Sequence, residues 1–155
     1  MGMDVYGKNP TSEHGKYFRN NAWNWRPLAN YIIDIAPQIA NKCLYWQSND
    51  EDGLDAADSV ALAVALQAEI DIGNTLIYEK RYRHMIETMP DIDCDICGGT
   101  GKRAPPPRVG PGDKACNGCG STGRRRPSAA SYPFSAENVQ SFVAFLRDCG
   151  GFEIL

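Results

Sequence analysis

The sequence predicts a mainly α fold, with a small α+β arrangement as its variant: a helical core around one long central helix, a four-cysteine insertion, and short strands at the two ends. Three observations predict it. Apolar residues recur at spacings of three and four over 28–46, 55–88 and 135–150, the period of helices with one buried face. Alternating runs, the signature of strands, are confined to "MDVY" near the start and "GFEIL" at the end. Between the second and third helical stretches lies a segment of prolines, glycines and paired cysteines that suits neither period. The expected division is residues 1–90 plus 128–155 as a helical core domain and 91–127 as an inserted unit.

Taken in order, Gly7 and Asn9-Pro10 end the "MDVY" strand quickly. Turn formers mixed with aromatics follow. Pro27 suits a first helical position, and Leu28, Tyr31, Ile32, Ile35, Ile39, Cys43 and Trp46 make one stripe behind it. Pro37 should kink that helix or divide it. "QSNDEDGLDAADS" is a polar break whose acids stand ahead of the next helix, toward the positive end of its dipole. It fails the calcium-loop pattern, since the alternating ligands, central glycine and closing glutamate do not fall in place. Alanine and straight-chain residues then predict one long helix, with Val60, Leu62, Val64, Leu66, Ile70 and Leu76 toward the core. Gly73-Asn74 marks a bend or change of register within it, and Pro90 its end. In the last helix Ser135 is the N-cap, Phe134 the staple, and Gly150 the terminating glycine, with Val139, Phe142, Val143 and Leu146 on one face. "GFEIL" is expected to pair with "MDVY" beside the helices.

Hydrophobic residues at 43% and charged ones at 23% give the balance of an ordinary globule. No apolar run approaches the roughly 18–20 residues that span a bilayer, and the opening residues lack the layout of a signal peptide. The expectation is a cytoplasmic protein, in which six cysteines are not a disulfide framework. Cys43 and Cys149 fall in apolar patterns and read as small buried hydrophobes. Charge is unevenly placed. From Asp91 to Arg126, seven Lys or Arg (102, 103, 108, 114, 124, 125, 126) face four Asp (91, 93, 95, 113), so a basic insertion of +3 sits in a host of −6.

The remaining four cysteines form two Cys-x-x-Cys turns, Cys94/Cys97 and Cys116/Cys119, with 18 residues between them. Two rigid thiolate pairs at this separation are what tetrahedral zinc requires, and the trailing glycines let backbone N–H groups turn toward sulfur. Four thiolates close the coordination shell, so the spacing points to one structural zinc rather than a catalytic metal or a redox dithiol. The segment "CDICGGTG" satisfies the C-x-x-C-x-G-x-G unit of the cysteine-rich domain of DnaJ-type co-chaperones, and "CNGCGSTG" resembles it with Ser121 in place of a glycine. That family holds two zinc ions with four such units, so two units imply one ion. No J-domain His-Pro-Asp triplet accompanies them, and the resemblance carries zinc ligation without chaperone activity. Rubredoxin-like iron is the other tetrahedral thiolate site. Its second turn usually carries a proline, where Asn117-Gly118 stands here.

"GRRRP" beside the second turn raises nucleic acid. A zinc with four thiolates carries −2, which brings the insertion to about +1, and residues 91–127 hold no aromatic to stack a base. Nucleic acid is therefore disfavoured. A better candidate surface is "HGKYFRNNAWNWRP", where Tyr17, Arg19, Asn20, Asn21, Trp23, Trp25 and Arg26 crowd together with His14, Phe18 and Asn24. Aromatics with Arg and Asn can stack a planar ring and bond its edges, and they also dominate protein interfaces. No G-x-S-x-G, P-loop or H-E-x-x-H motif points to catalysis.

Along nearly its full length the chain resembles a family of small bacterial proteins, many encoded by phages or prophages. The likeness runs through "MGMDVYGKNPTSE", "GKYFRNNAWNWRPL", "SNDEDGLDAADS", both cysteine turns and "FVAFLRDCGGFEIL". It implies a phage setting, in which the expected function is a non-enzymatic protein binding a host protein, with antagonism of host defence as one use. The alternative from another class is a small-ligand binder that sequesters a nucleotide-like signal.

Overall fold

The terminal alternation sets the direction in which the sheet faces. In the computed structural model, which describes residues 2–155, β1 (Gly2–Gly7) buries Met3 and Val5 and leaves Tyr6 outside. The C-terminal strand β8 (Phe152–Ile154) buries Phe152 and Ile154 on the same side. The two pair antiparallel, with Val5 opposite Ile154 and Gly7 opposite Phe152. On either side stand β2 (Tyr17–Asn21) and β3 (Asp52–Leu54), in the order β2-β1-β8-β3. The structure is 45% helical and 17% strand, with small antiparallel sheets beside the helices, which accords with the α+β variant of the expected fold. Both flanking strands lie in stretches without strand signals, and they form because β1 and β8 offer them open edges.

Among the described residues, five α-helices complete the architecture: α1 (Ala22–Ile35), α2 (Pro37–Ala40), α3 (Ala56–Asp71), α4 (Asn74–Thr88) and α5 (Ala136–Asp148). Helix α1 starts at Ala22, not at Pro27, because the Asn21 side chain accepts the Asn24 N–H at 2.9 Å and caps the first turn. Pro27 therefore sits inside the helix, where it lacks the N–H that the Trp23 carbonyl would ordinarily receive. Pro37 divides the expected helix at Ala36. Cys43 and Trp46 lie beyond α2 in turns, yet both are buried. The expected long helix is two helices, bent by 76° around Gly73. Ser135 caps α5 as expected, accepting the Asn138 N–H.

The core lies between the sheet and α1, α3 and α5. Trp25, Leu28, Tyr31 and Ile32 of α1 meet Leu62 and Leu66 of α3 and Val139, Phe142, Val143 and Leu146 of α5. Trp25 is fully buried and donates its indole N–H to the Trp46 carbonyl, while Trp46 donates its own to Ala40. Those bonds tie the non-helical 41–46 segment to α1 and α2. Val60, Val64 and Leu76, expected inside, are exposed. With 3.6 residues per turn, Ser59, Leu62, Ala63 and Leu66 take the inner face of α3 and turn the valines outward.

The chain forms two compact units, one of the residues up to His84 together with Tyr132–Leu155, the other Met85–Ser131. These borders lie a few residues outside the expected insertion. Arg126 donates to the carbonyls of Ile86 and Met89, caps the C-terminal end of α4, and draws it into the second unit. No helix among the described residues is by itself long and apolar enough to cross a membrane.

Asp52 fastens the 43–46 segment to β3. Its carboxylate accepts the N–H groups of Leu44 and Tyr45 and that of Gly53. Burial opposes its ionisation, but these N–H groups prevail and hold the carboxyl below the usual range. A lowered folded-state value means stabilisation that is complete above the unfolded value and lost as pH falls through the folded one. Asp52→Asn is expected to lower stability to urea by about 1–2 kcal/mol at pH 7. The gap from wild type should begin to narrow as pH falls below about 4, the unfolded value, and close only once pH has passed below the lowered folded value. A pH-independent gap would assign the loss to packing instead.

Candidate metal centre and surface residues

Four two-residue strands frame the cysteines: β4 (Ile92–Asp93) pairs with β7 (Arg124–Arg125), and β5 (Lys102–Arg103) with β6 (Lys114–Ala115). The turns between them are near copies of each other. Gly99 N–H donates to Cys94 O and Ser121 N–H to Cys116 O, at 3.1 and 2.9 Å. The Thr100 hydroxyl donates to Cys97 O and the Thr122 hydroxyl to Cys119 O, at 2.8 and 2.7 Å. Gly101 N–H points at Cys97 Sγ and Gly123 N–H at Cys119 Sγ, both at 3.3 Å. The copies interlock, since Cys94 N–H donates to Gly123 O and Cys116 N–H to Gly101 O.

A metal with sulfur ligands at about 2.3 Å has tetrahedral S–S edges of about 3.8 Å. Here Cys94 and Cys116 Sγ are 3.9 Å apart, Cys97 and Cys119 Sγ 3.8 Å, and all four sulfurs lie within 4.8 Å of one another. Disulfide sulfurs would lie near 2.05 Å. The cluster therefore has dimensions that can hold a metal ion, and its two N–H···S bonds would offset part of the thiolate charge. Cys94, Cys97 and Cys116 are buried and Cys119 is partly exposed.

The glycine pattern follows from this interlock. Gly101 and Gly123 take φ of +75° and +78°, and a Cβ on either would lie 2.4 Å from Ser121 O or 2.1 Å from Gly99 O, respectively. Each closing glycine thus packs on the backbone of the opposite turn. Ser121 adopts φ +65° where its counterpart Gly99 has +81°, so the departure from the repeat keeps the left-handed backbone at a cost of about 1–2 kcal/mol.

The arginines of "GRRRP" are engaged within this unit. Arg124 pairs with Asp93 and donates to Asp91 O, Arg125 pairs with Asp95 at 3.2 Å, and Arg126 caps α4. The two cysteines outside the cluster are buried in the main core, and burial pushes the Cys43 thiol up to about 12.

The seven residues of the N-terminal candidate patch do not form one surface. On β2, alternation sends Tyr17 and Arg19 to the outer face and Phe18 and Asn20 inward. Tyr17 donates its hydroxyl to Asp4, and its ring lies 4.8 Å from that of Tyr6. Asn20 is buried and donates to Asn138 Oδ1, which fixes β2 to α5. Asn21 is the α1 cap and Trp25 is core. Trp23 and Arg26 remain at the surface. Trp23 is 51% exposed, its ring 4.9 Å from Tyr132, with the Arg26 guanidinium 5.2 Å from the same Tyr132 ring. Tyr132 and Tyr6 had no local signal that joined them to the patch, because strand pairing and chain return bring them there.

No family model, curated protein or solved structure matches the chain.

Gly123→Ala places a methyl against Gly99 O across the cluster. It is expected to abolish stoichiometric metal binding and to remove hydrogen-exchange protection at Cys94 and Cys116, leaving the main core's protection intact. A Gly123→Ala protein with undiminished metal affinity would show that the interlocked turns are not what shapes the cluster.

Proposed function

We propose that this chain is a non-enzymatic binding protein whose 85–131 unit is folded around one structural zinc ion, and that it acts on a host protein through Trp23, Arg26 and Tyr132. The observation that carries the binding reading is the exposed Trp23 ring against the half-buried Tyr132 ring, with Arg26 beside them. Tryptophan, tyrosine and arginine dominate the energetics of protein interfaces, because they combine large apolar area with a polar handle and few rotors. A pair held in place by ring contact loses little further freedom on binding. The resemblance to phage and prophage proteins supports a host protein as partner, with antagonism of host defence as the use. A cytoplasmic setting accords with thiolates kept reduced for metal.

Zinc as the metal is supported by four sulfur donors, tetrahedral edges and a closed shell, the set that serves structure rather than catalysis. The second unit's apolar cluster contains the four cysteines and Ile96 and nothing larger. So small a core is not expected to hold a fold, and metal binding would supply its folding energy. The engagement of Arg124, Arg125 and Arg126 in local ion pairs and a helix cap supports the disfavouring of nucleic acid.

A second reading, sequestration of a nucleotide-like small molecule, is favoured by the outer face of the sheet. There Tyr6 and Tyr17 stand side by side at 45% and 40% exposure, with Arg19 next to Tyr17 on β2. Rings to stack a base and a guanidinium to meet a phosphate are its ingredients.

Native mass spectrometry should find the mass of one zinc per chain, lost in Cys97→Ser. Finding iron instead would change the metal, and finding none would remove the structural-metal reading. Trp23→Ala and Arg26→Ala should weaken a host-protein complex at least tenfold without changing the melting temperature of the free chain. Thermal stability against a nucleotide panel separates the two readings. A ligand at 100 times its dissociation constant adds about 2.7 kcal/mol. Such a shift, abolished by Arg19→Ala but kept by Trp23→Ala, would replace the protein-partner reading with sequestration.

A further inference from the structure

The least expected surface on the molecule is the outer face of α3. Between Asp58 and Glu69 the helix reads "SVALAVALQA", ten residues without a charge. Ser59, Leu62, Ala63 and Leu66 explain four of the ten, since they pack inward, where α3 meets α5. Others face out. Val60 is 50% exposed and Val64 65%, and Ala57, Ala61 and Ala68 are exposed with them. A solvent-facing helix surface ordinarily carries Lys, Glu or Gln, and β-branched residues there forgo helix propensity for nothing. A helix apolar all round is one that is covered all round.

Beside this ridge runs an apolar cleft of about 290 Å³, lined by Ile35, Ala36, Pro37, Gln38 and Ile39 and by Ala65 of α3 itself. Ridge and cleft are neighbours on one surface, the arrangement an isologous contact requires: the ridge of each copy enters the cleft of the other around a twofold axis. Charge agrees with a second copy as the occupant. The charged residues of α3 are Asp58, Glu69 and Asp71, all acidic and all at its ends. The neutral middle can meet itself without like-charge repulsion, Asp58 is already ion-paired to Lys42 at 2.6 Å, and Glu69 and Asp71 lie beyond the ridge at the C-terminal end. The same acids argue against a lipid surface, since interfacial helices flank their apolar face with Lys and Arg. The three alanines let two helix axes approach closely.

We infer that the outer face of α3, with the cleft beside it, is the seam of a homodimer of this chain. Helix α3 is 16 residues long, about 24 Å, and a stable pair needs about 800 Å² from each partner, so the cleft is a necessary part of the contact. The inference stands apart from the proposed host-protein contact, which uses α1 residues and Tyr132.

Sedimentation of the zinc-loaded full chain over a dilution series tests it. The wild type should run as a dimer at micromolar concentration, and Val64→Glu as a monomer with an unchanged circular dichroism spectrum and metal content. Leu44→Glu, which changes a still more exposed apolar residue (75% exposed) outside α3, should remain a dimer. Hydrogen exchange on wild type should show residues 57–68 more protected at high than at low concentration, a readout that holds even where a variant fails to fold. A wild type that is monomeric throughout would overturn the inference. So would a dimer that survives both Val60→Glu and Val64→Glu, or one that Leu44→Glu dissolves.

Discussion

The pairing of β1 with β8 is the constraint on which the main unit depends. These two strands stand at the centre of the sheet, and their pairing is what unites the β1–β2 pair and the β8–β3 pair into one sheet. Joining the ends of a chain this long costs loop-closure entropy, although that cost grows only slowly with length. What offsets it is burial on one face: Met3, Val5, Phe152, Ile154 and Leu54 all point to the same helices. The rings make that face continuous. Phe142 of α5 lies 5.0 Å from Phe18, 5.8 Å from Trp25 and 6.0 Å from Phe152, so two strands and two helices share one aromatic cluster.

The second unit is organised on the opposite principle. Its contacts are local and duplicated, and each turn is completed by backbone groups of the other. The cysteine pairs, the Thr hydroxyl bonds and the closing glycines all repeat at a 22-residue interval, Cys94 to Cys116 and Cys97 to Cys119. Large side chains play little part. That is why the unit was recognisable from spacing alone, whereas its border was not. The reach of Arg126 back to Ile86 and Met89 is a helix-capping contact between positions 37 and 40 residues apart, with no motif to announce it.

The N-terminal patch shows how two neighbouring residues of one type part company. Trp23 and Trp25 are two positions apart in α1, roughly 200° around the helix. One is half exposed beside Tyr132, and the other is the largest fully buried side chain of α1. Which of them faces the core depends on where the helix begins, and Pro27 is a misleading marker for that. Asn21 decides it, acting at once as the last residue of β2 and the cap of α1. The phase of α3 carries the same lesson, since Leu62 and Leu66 are core while Val60 and Val64 are surface in an unbroken apolar run.

Several features were determined by sequence because their causes are local. The four-cysteine cluster needed only the two Cys-x-x-Cys turns and their glycines. Ser135, Pro37 and Gly73 marked a cap, a break and a bend through their own side-chain or backbone chemistry, and the alternation of "MDVY" and "GFEIL" marked two strands. Tertiary structure decided everything that needed a partner distant in the chain. β2 and β3 became strands because open edges were presented to them. Asn20 became buried because Asn138 was there to receive it, and Cys43 and Trp46 reached the core through turns held by Asp52 and Trp25. The physical reason is the same in each case. A residue's own preference is worth tenths of a kcal/mol to about one, and a buried hydrogen bond or a packed ring contributes as much or more.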